Sequence, residues 1–587
     1  MPMRLLTLLV AVTMLTLAPL SGLAQGVAWL PWSDAVFEQA RKEHRFVLLD
    51  LEAVWCHWCH VMDEQTYHDN AVARVIGEHY IAVRVDQDAR PDLSRRYEDY
   101  GWPATIVFSP DGREIVKRAG FVPPQRFAAL LDAIVKDPTP IKYRDSEPVR
   151  TFSSSPLLSA EVRRELEKNF IDSHDPRVGG MRQQQKFMDR DSVEYALMLA
   201  KAGDAKARTM ATQTLAGSLD LVDPVWGGVY QYSTDGDWKH PHFEKILFVQ
   251  AEHLRVYSLA ALALGDRRYL DAARKVVDYT STFLLAPEGA YYASQDADLV
   301  KGRHSAEYFA LDDAARRRLG IPAVDTHLYA RESGWMIQGL ASYHAASGDS
   351  VALDRAVNAA RWAIAQRALP GGGFRHDAVD AAGPYLEDSL AMGRGFLALY
   401  QATGEREWLR LAEEAARFID EHFAGSAGGY VTAASAGALA PLPQTDENIM
   451  MARFANLLAR YTGNDVYRAQ AERAMRYLVT REIALKRRSE AGILIAGAEL
   501  AAEPTHLTIV GAKNDPAARA LFNQAQGHPD GYKRIEWWDR AEGPMPNPDV
   551  QYPELPRAAA YVCSKNRCSL PVYTGEDLLV LAQRLNK

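Results

Sequence analysis

Two cysteines three positions apart, Cys56 and Cys59, carry the clearest chemistry in the chain. They sit in FVLLDLEAVWCHWCHVM, residues 46–62, where an apolar run of strand type leads into a C-x-x-C and then into helix-compatible sequence. A dithiol at a helix start is a thiol–disulfide pattern. The unpaired N–H groups of a first helical turn favour a thiolate on Cys56, the sulfur that attacks or is attacked in exchange. The same pair could be half of a zinc site. No second pair with ribbon spacing lies nearby, however, and His57 and His60 are too close together for finger spacing. Neither a metal nor a cofactor is expected. Asp50, six residues before Cys56, would lie on the inner face of the strand and exchange a proton with Cys59, while Glu52 suits a solvated strand end.

Farther on, Gly101-Trp102-Pro103 precedes a five-residue apolar strand, and Pro110-Asp111-Gly112 makes a turn between strands. A proline entering a strand loses a ladder bond unless it stands at the start, and cis geometry at Trp102–Pro103 would account for it. This whole stretch resembles the thioredoxin fold. In that family a buried aspartate stands six residues before the first active cysteine, as Asp50 does, and a cis-proline loop faces the dithiol, as Pro103 would. The chain departs from thioredoxin between the cysteines, with His57 and Trp58 in place of Gly-Pro. A protonated His57 would lower the Cys56 pKa and make the pair more oxidising. An exposed, inert His57 is the alternative.

The elements that must position these residues follow from the chain as a whole. Its 587 residues are 48 % hydrophobic and 24 % charged, with a formal net charge of -8. That composition is soluble and long enough for two or three domains, and its acidity disfavours nucleic acid as a partner. Residues 1–24 have a positive Arg4, an apolar run over 5–17 and small residues before Gln25. They read as a secretory signal peptide, with an uncleaved anchor as the alternative, so a periplasmic or secreted protein is expected. No later run is long and apolar enough to span a membrane. Export would place the cysteines where disulfides persist.

Residues 25–140 alternate helix and strand and predict a small α/β domain with helices on both faces of a sheet. A linker rich in proline and serine covers 141–156. From 157 to 490 long amphipathic stretches dominate, separated by glycine pairs such as Gly227-Gly228, Gly371-Gly372 and Gly428-Gly429. Repeated helical hairpins of this kind predict an α/α toroid, with an open solenoid as competitor. Residues 491–587 predict a mixed region packed on the toroid. There Cys563 and Cys568 fit a local structural disulfide, or else a second dithiol exchanging with Cys56–Cys59.

Three loops of the helical part hold polar clusters beside aromatics. WGGVYQYSTDGDWKHPHFE contributes Trp226, His240, His242 and Glu244; GAYYASQDAD contributes Tyr291, Asp296 and Asp298; a third contributes Arg375, His376, Glu387 and Asp388. Glu307 lies just beyond the second. Aromatic platforms with carboxylates fit a sugar, with acid and base supplied by the carboxylates. The plain alternative is a satisfied network that braces the loops.

Taken together, WCHWCHVM, KHPHFEKILFVQA, GAYYASQDAD, RESGWMIQGLA and YVCSKNRCSLPV are similar to the thioredoxin-domain family known by its DUF255 domain, which includes bacterial members and an animal spermatogenesis-associated protein. The resemblance implies a thioredoxin-like domain followed by an (α/α)6-type barrel akin to sugar epimerases and hydrolases, a six-hairpin glycosidase-like ring. Here the family's glycine-rich block is GGMRQQQKFM, and the segment after Asp298 is less acidic than in relatives. Three functions are weighed. The first is an exported thiol–disulfide oxidoreductase with a protein dithiol or disulfide as partner, in which Cys56 attacks, Cys59 resolves and Asp50 moves the proton. The second is a carbohydrate-active epimerase or hydrolase. The third is a non-catalytic module that binds glycan or protein.

Overall fold

The computed structural model describes residues 26–142, 149, 151–380, 382–426, 428–435, 437–564 and 567–585. The expected signal peptide and part of the expected linker lie outside these residues. No helix among them is long and apolar enough to cross a membrane.

The N-terminal sheet has four strands in the order β2-β1-β3-β4, with β1 at Phe46–Glu52, β2 at Tyr80–Asp86, β3 at Ala104–Phe108 and β4 at Glu114–Ala119. Strand β1 runs parallel to β2 and antiparallel to β3, and β4 runs antiparallel to β3. Central β1 is apolar except for Asp50 and its last residue, Glu52, because both faces are covered. One face packs on Asn70–His79 and Pro124–Lys136, the other on Asp34–Glu43 and Pro91–Tyr97. The Pro91–Tyr97 helix is absent from the sequence reading, which passes from β2 directly to the Trp102–Pro103 loop. Its one clear signal is a proline at the first helical position.

Six inner helices then form a ring: Arg190–Lys201, Leu247–Leu264, Ala330–Ser347, Leu386–Thr403, Thr445–Thr462 and Ala491–Ala501. Each packs on the next, and the last packs on the first, so the ring is closed rather than an open solenoid. Outer helices cover the inner ones, and Ala160–Ser173, at the start of the ring in sequence, covers the last inner helix. Residues 491–501, assigned above to the C-terminal region, thus belong to the ring. Apart from Glu499, this helix is apolar on all sides because it is buried on all sides.

Four inner helices are each 18 residues long. Each ends on a left-handed glycine, Gly265, Gly348, Gly404 or Gly463, with φ of 67, 76, 70 and 68°. A residue with a Cβ would be strained in that conformation, which is why glycine recurs there. The glycine pairs stand at the opposite end of the ring, and a Cβ on Gly227 would lie 2.3 Å from the Lys275 carbonyl oxygen. The thioredoxin-like domain sits on this second end, called the mouth below.

The far end is covered by the C-terminal region. Its strands Thr505–Val510, Lys533–Trp538, Ala559–Ser564 and Arg567–Cys568 repeat the order and the directions of the N-terminal sheet. Helices Pro516–Gln526 and Gly575–Leu585 complete the same core topology. The turn that would carry a dithiol is GAKNDP, without cysteine.

Candidate active site

Cys56 and Cys59 are joined as a disulfide at the N-terminus of the His57–Met62 helix. Cys56 is the N-cap, and its sulfur accepts the Cys59 N–H at 3.2 Å. Both cysteines are buried, 4 % and 3 % exposed. Trp55, Trp102 and Ile246 close over them, and Ile246 comes from the ring. The Trp102–Pro103 bond is cis, and Pro103 is buried. Asp50 is buried and accepts a hydrogen bond from Arg84 Nε at 2.9 Å. Burial pushes Asp50 up to about 7, against the pull of the Arg84 guanidinium.

The ring supplies the other wall. Short strands Lys245–Ile246, Ser294–Gln295 and Val324–Asp325 pair at the mouth and set Glu244, Asp296 and Asp298 side by side. Asp298 accepts from His57 Nδ1 at 2.8 Å, from His60 Nδ1 at 3.1 Å and from the Gly302 N–H at 2.9 Å. The second ring nitrogen of His60 lies 3.0 Å from the Val54 carbonyl oxygen. Both partners of His60 can only accept, so satisfying both requires a doubly protonated imidazolium. Its pKa is raised accordingly: burial works against the charge, and the hydrogen bond to Asp298 and the charges of Asp296 and Asp298 overcome it. Asp298 is lowered: burial opposes its charge, and the two histidines outweigh burial. Burial pushes Asp296 up to about 6 although His60 draws it down.

Ligand atoms of His60, Asp296 and Asp298 all lie within 4.8 Å of one another, a spacing that suits a cation. The His60 nitrogen that donates to Asp298 is also the one that would ligate a cation, since the other is taken by the Val54 carbonyl. Glu244 accepts from the His57 backbone N–H at 3.4 Å, and its other oxygen is buried without a hydrogen-bond partner among the described residues. His242 stacks on Tyr232 at 4.5 Å and lies 3.8 Å from Glu244. His304, which sequence reasoning missed, meets His57 edge-on at 5.7 Å. Nothing in its sequence context distinguishes it.

Thus His242, Glu244, Asp296 and Asp298 meet at one place, and what they meet is the thioredoxin-like domain. The other residues expected in that pocket lie elsewhere. Trp226 donates to Asp313 at 2.7 Å and packs on Phe283 and Arg316. Tyr291 is fully buried in the ring wall. His240 is exposed and bonded to Asp237 at 2.9 Å, and Glu307 is exposed on the short Ala306–Phe309 helix. Proximity in sequence to the pocket residues does not reveal these other environments.

The third loop also docks the domain. Glu387 takes Arg95 of the Pro91–Tyr97 helix in a two-pronged ion pair. His376 bonds Asp388 at 2.8 Å and the Asp88 carbonyl at 2.7 Å. Asp88 in turn accepts from Trp55 Nε1 at 2.7 Å. At the other end of the molecule, Cys563 and Cys568 are joined across a strand pair, with Tyr552 Oη 3.4 Å from the Cys563 sulfur.

Fold and site together define a thioredoxin-like domain with a C-x-x-C, docked on the mouth of a six-hairpin α/α toroid. Residues 20–136 match the family described as protein of unknown function, DUF255. Residues 324–484 match the beta-L-arabinofuranosidase GH127 catalytic domain. The chain is similar to human spermatogenesis-associated protein 20, 24 % identical over 560 residues, covering 72 % of this chain and 71 % of that protein. Thioredoxin-2 of Pyricularia oryzae is 33 % identical over 105 residues, 16 % of this chain and 53 % of that one. Among solved structures, a sugar epimerase from a ruminal bacterium matches with a TM-score of 0.44 and 14 % identity over 54 % of this chain and 86 % of its own.

Proposed function

We propose that the protein is an exported thiol–disulfide oxidoreductase whose reaction chamber is built jointly by the C-x-x-C domain and the mouth of the ring. The observation that supports this best is the Cys56–Cys59 pair lying under ring residue Ile246, with the histidine after each cysteine held by ring carboxylate Asp298. In the reduced protein the Cys56 thiolate, favoured by the helix N-terminus, attacks a substrate disulfide and releases one substrate thiolate. A mixed disulfide between Cys56 and substrate results. Asp50 accepts the Cys59 proton, and the Cys59 thiolate attacks the Cys56 sulfur, releasing the second substrate thiol. The substrate gains two electrons, and the pair returns to the disulfide. Because Cys56 is only 4 % exposed beneath Trp55, Trp102 and Ile246, a folded protein partner can engage it only when that cover opens. Export rests on the pattern of residues 1–24.

The test is single-turnover reduction of a chromogenic disulfide by the reduced mature chain. Cys56→Ser should abolish the reaction, and Cys59→Ser should accumulate a mixed disulfide visible by mass spectrometry. Undiminished turnover by Cys56→Ser would sink the reading. A second reading, a carbohydrate-active enzyme in the ring, is supported by the match of residues 324–484 to the arabinofuranosidase catalytic domain. Turnover of an aryl glycoside or epimerisation of a sugar that survives Cys56→Ser and is lost in Glu244→Gln would favour it.

A further inference from the structure

The far end of the ring holds a cavity of about 210 Å³, closed on one side by the C-terminal region and remote from the dithiol. Its wall is made by the axis-facing residues of the inner helices. These recur at helical spacing, as in Arg255 and Leu259 on one helix and Arg394, Leu397 and Gln401 on another.

The charges at its base are unevenly matched. Arg255 donates to Glu194 at 2.8 Å and to Glu252 at 3.0 Å. Arg453 donates to Glu499 at 2.9 Å and to Glu194 at 2.5 Å. Both guanidiniums are therefore committed, and both oxygens of Glu194 are taken. Arg394 lines the same cavity with no hydrogen-bond or ion-pair acceptor among the described residues. Burial and the nearby Arg255, Arg453 and Arg190 draw it down to about 10, against the pull of Glu252 and Glu499. Arg394 is half-buried on the cavity wall, and its fork of five donors, bonded to no carboxylate of the described residues, is shaped for one. Leucines 259, 397 and 457 offer the rest of the wall an apolar surface.

We propose that this cavity is a binding site for a small organic carboxylate with an apolar body, its carboxylate gripped by Arg394 and its body laid against the leucine wall. The site is independent of the thiol chemistry at the mouth.

The test uses the full mature chain, with binding followed by calorimetry and thermal shift for hexanoate and benzoate beside their neutral amides, hexanamide and benzamide. The acids should bind and raise Tm, and the amides should bind roughly 10- to 100-fold more weakly, as loss of a charge-assisted pair implies. Arg394→Met should lose the response to the acids, keep thiol turnover, and melt without ligand no lower than the parent chain, since no hydrogen bond or ion pair among the described residues is removed. Ala398→Phe, which fills the cavity and leaves Arg394 in place, should lose the response as well. Failure of both acids to bind, equal binding of acid and amide, an undiminished response in either variant, or a sharp loss of unliganded stability in Arg394→Met would each overturn the proposal. The last result would show that the guanidinium braces the ring.

Discussion

One carboxylate of the ring, Asp298, reaches His57 at 2.8 Å and His60 at 3.1 Å, the two residues that directly follow Cys56 and Cys59. The first turn of the C-x-x-C helix is therefore held by a residue some 240 positions away in sequence, separations of 241 and 238. Asp298→Ala leaves a buried His60 imidazolium without its strongest partner. Removal of one side of a buried pair costs roughly 3–5 kcal/mol. The domain should loosen from the mouth, seen as an earlier first melting transition and faster alkylation of reduced Cys56. An unchanged first transition together with unchanged alkylation would show that Asp298 does not hold the domain.

The same pair sets a pH window for docking. His60 is raised in the folded state, so its contribution is fully present below its unfolded pKa of about 6.5 and is lost as pH rises through the raised value. Asp298 is lowered, so its contribution is present above about 3.9 and is lost as pH falls through the lowered value. Limited proteolysis between domain and ring should thus be slowest between about pH 4 and 6.5 and quicken on the alkaline side. A His60→Gln chain should lack the alkaline limb.

Asp50 makes a kinetic prediction. With a pKa of about 7 it changes charge close to neutrality, where a general base for Cys59 is most useful. The rate at which Cys59 resolves a mixed disulfide on Cys56 should rise with pH through about 7, and in Asp50→Asn that inflection should vanish while attack by Cys56 is little changed. Persistence of the inflection would remove Asp50 from the proton path.

Cys563 and Cys568 belong to the domain that covers the far end of the ring, with the ring between them and Cys56. Their bridge should be intact in non-reduced protein whatever the state of Cys56. Replacing both by serine should cost the C-terminal region about 2 kcal/mol, the value for closing so short a loop. Capture of a mixed disulfide between Cys56 and either residue would instead reveal a relay.

The chain by itself determined the elements that depend on near neighbours. The apolar run into Cys56, the aspartate six residues earlier, the cis-capable Trp102–Pro103 and the glycine-ended helices are local patterns, and each forms the element it predicts. Ring closure was legible in part, because repeated hairpins must bury their stripes against one another. The sixth inner helix escaped because a helix apolar on all sides carries no periodicity to read. The repeated sheet of the C-terminal region escaped as well, since strand order is a matter of pairing between segments tens of residues apart. The site was half legible. His242, Glu244, Asp296 and Asp298 stood out as polar groups beside aromatics, and so did Trp226, Tyr291, His240 and Glu307, which lie elsewhere. Only the tertiary structure decided that the first four face the dithiol. A buried carboxylate must find a partner wherever the fold places one, and for Asp298 the partners are two histidines on another domain.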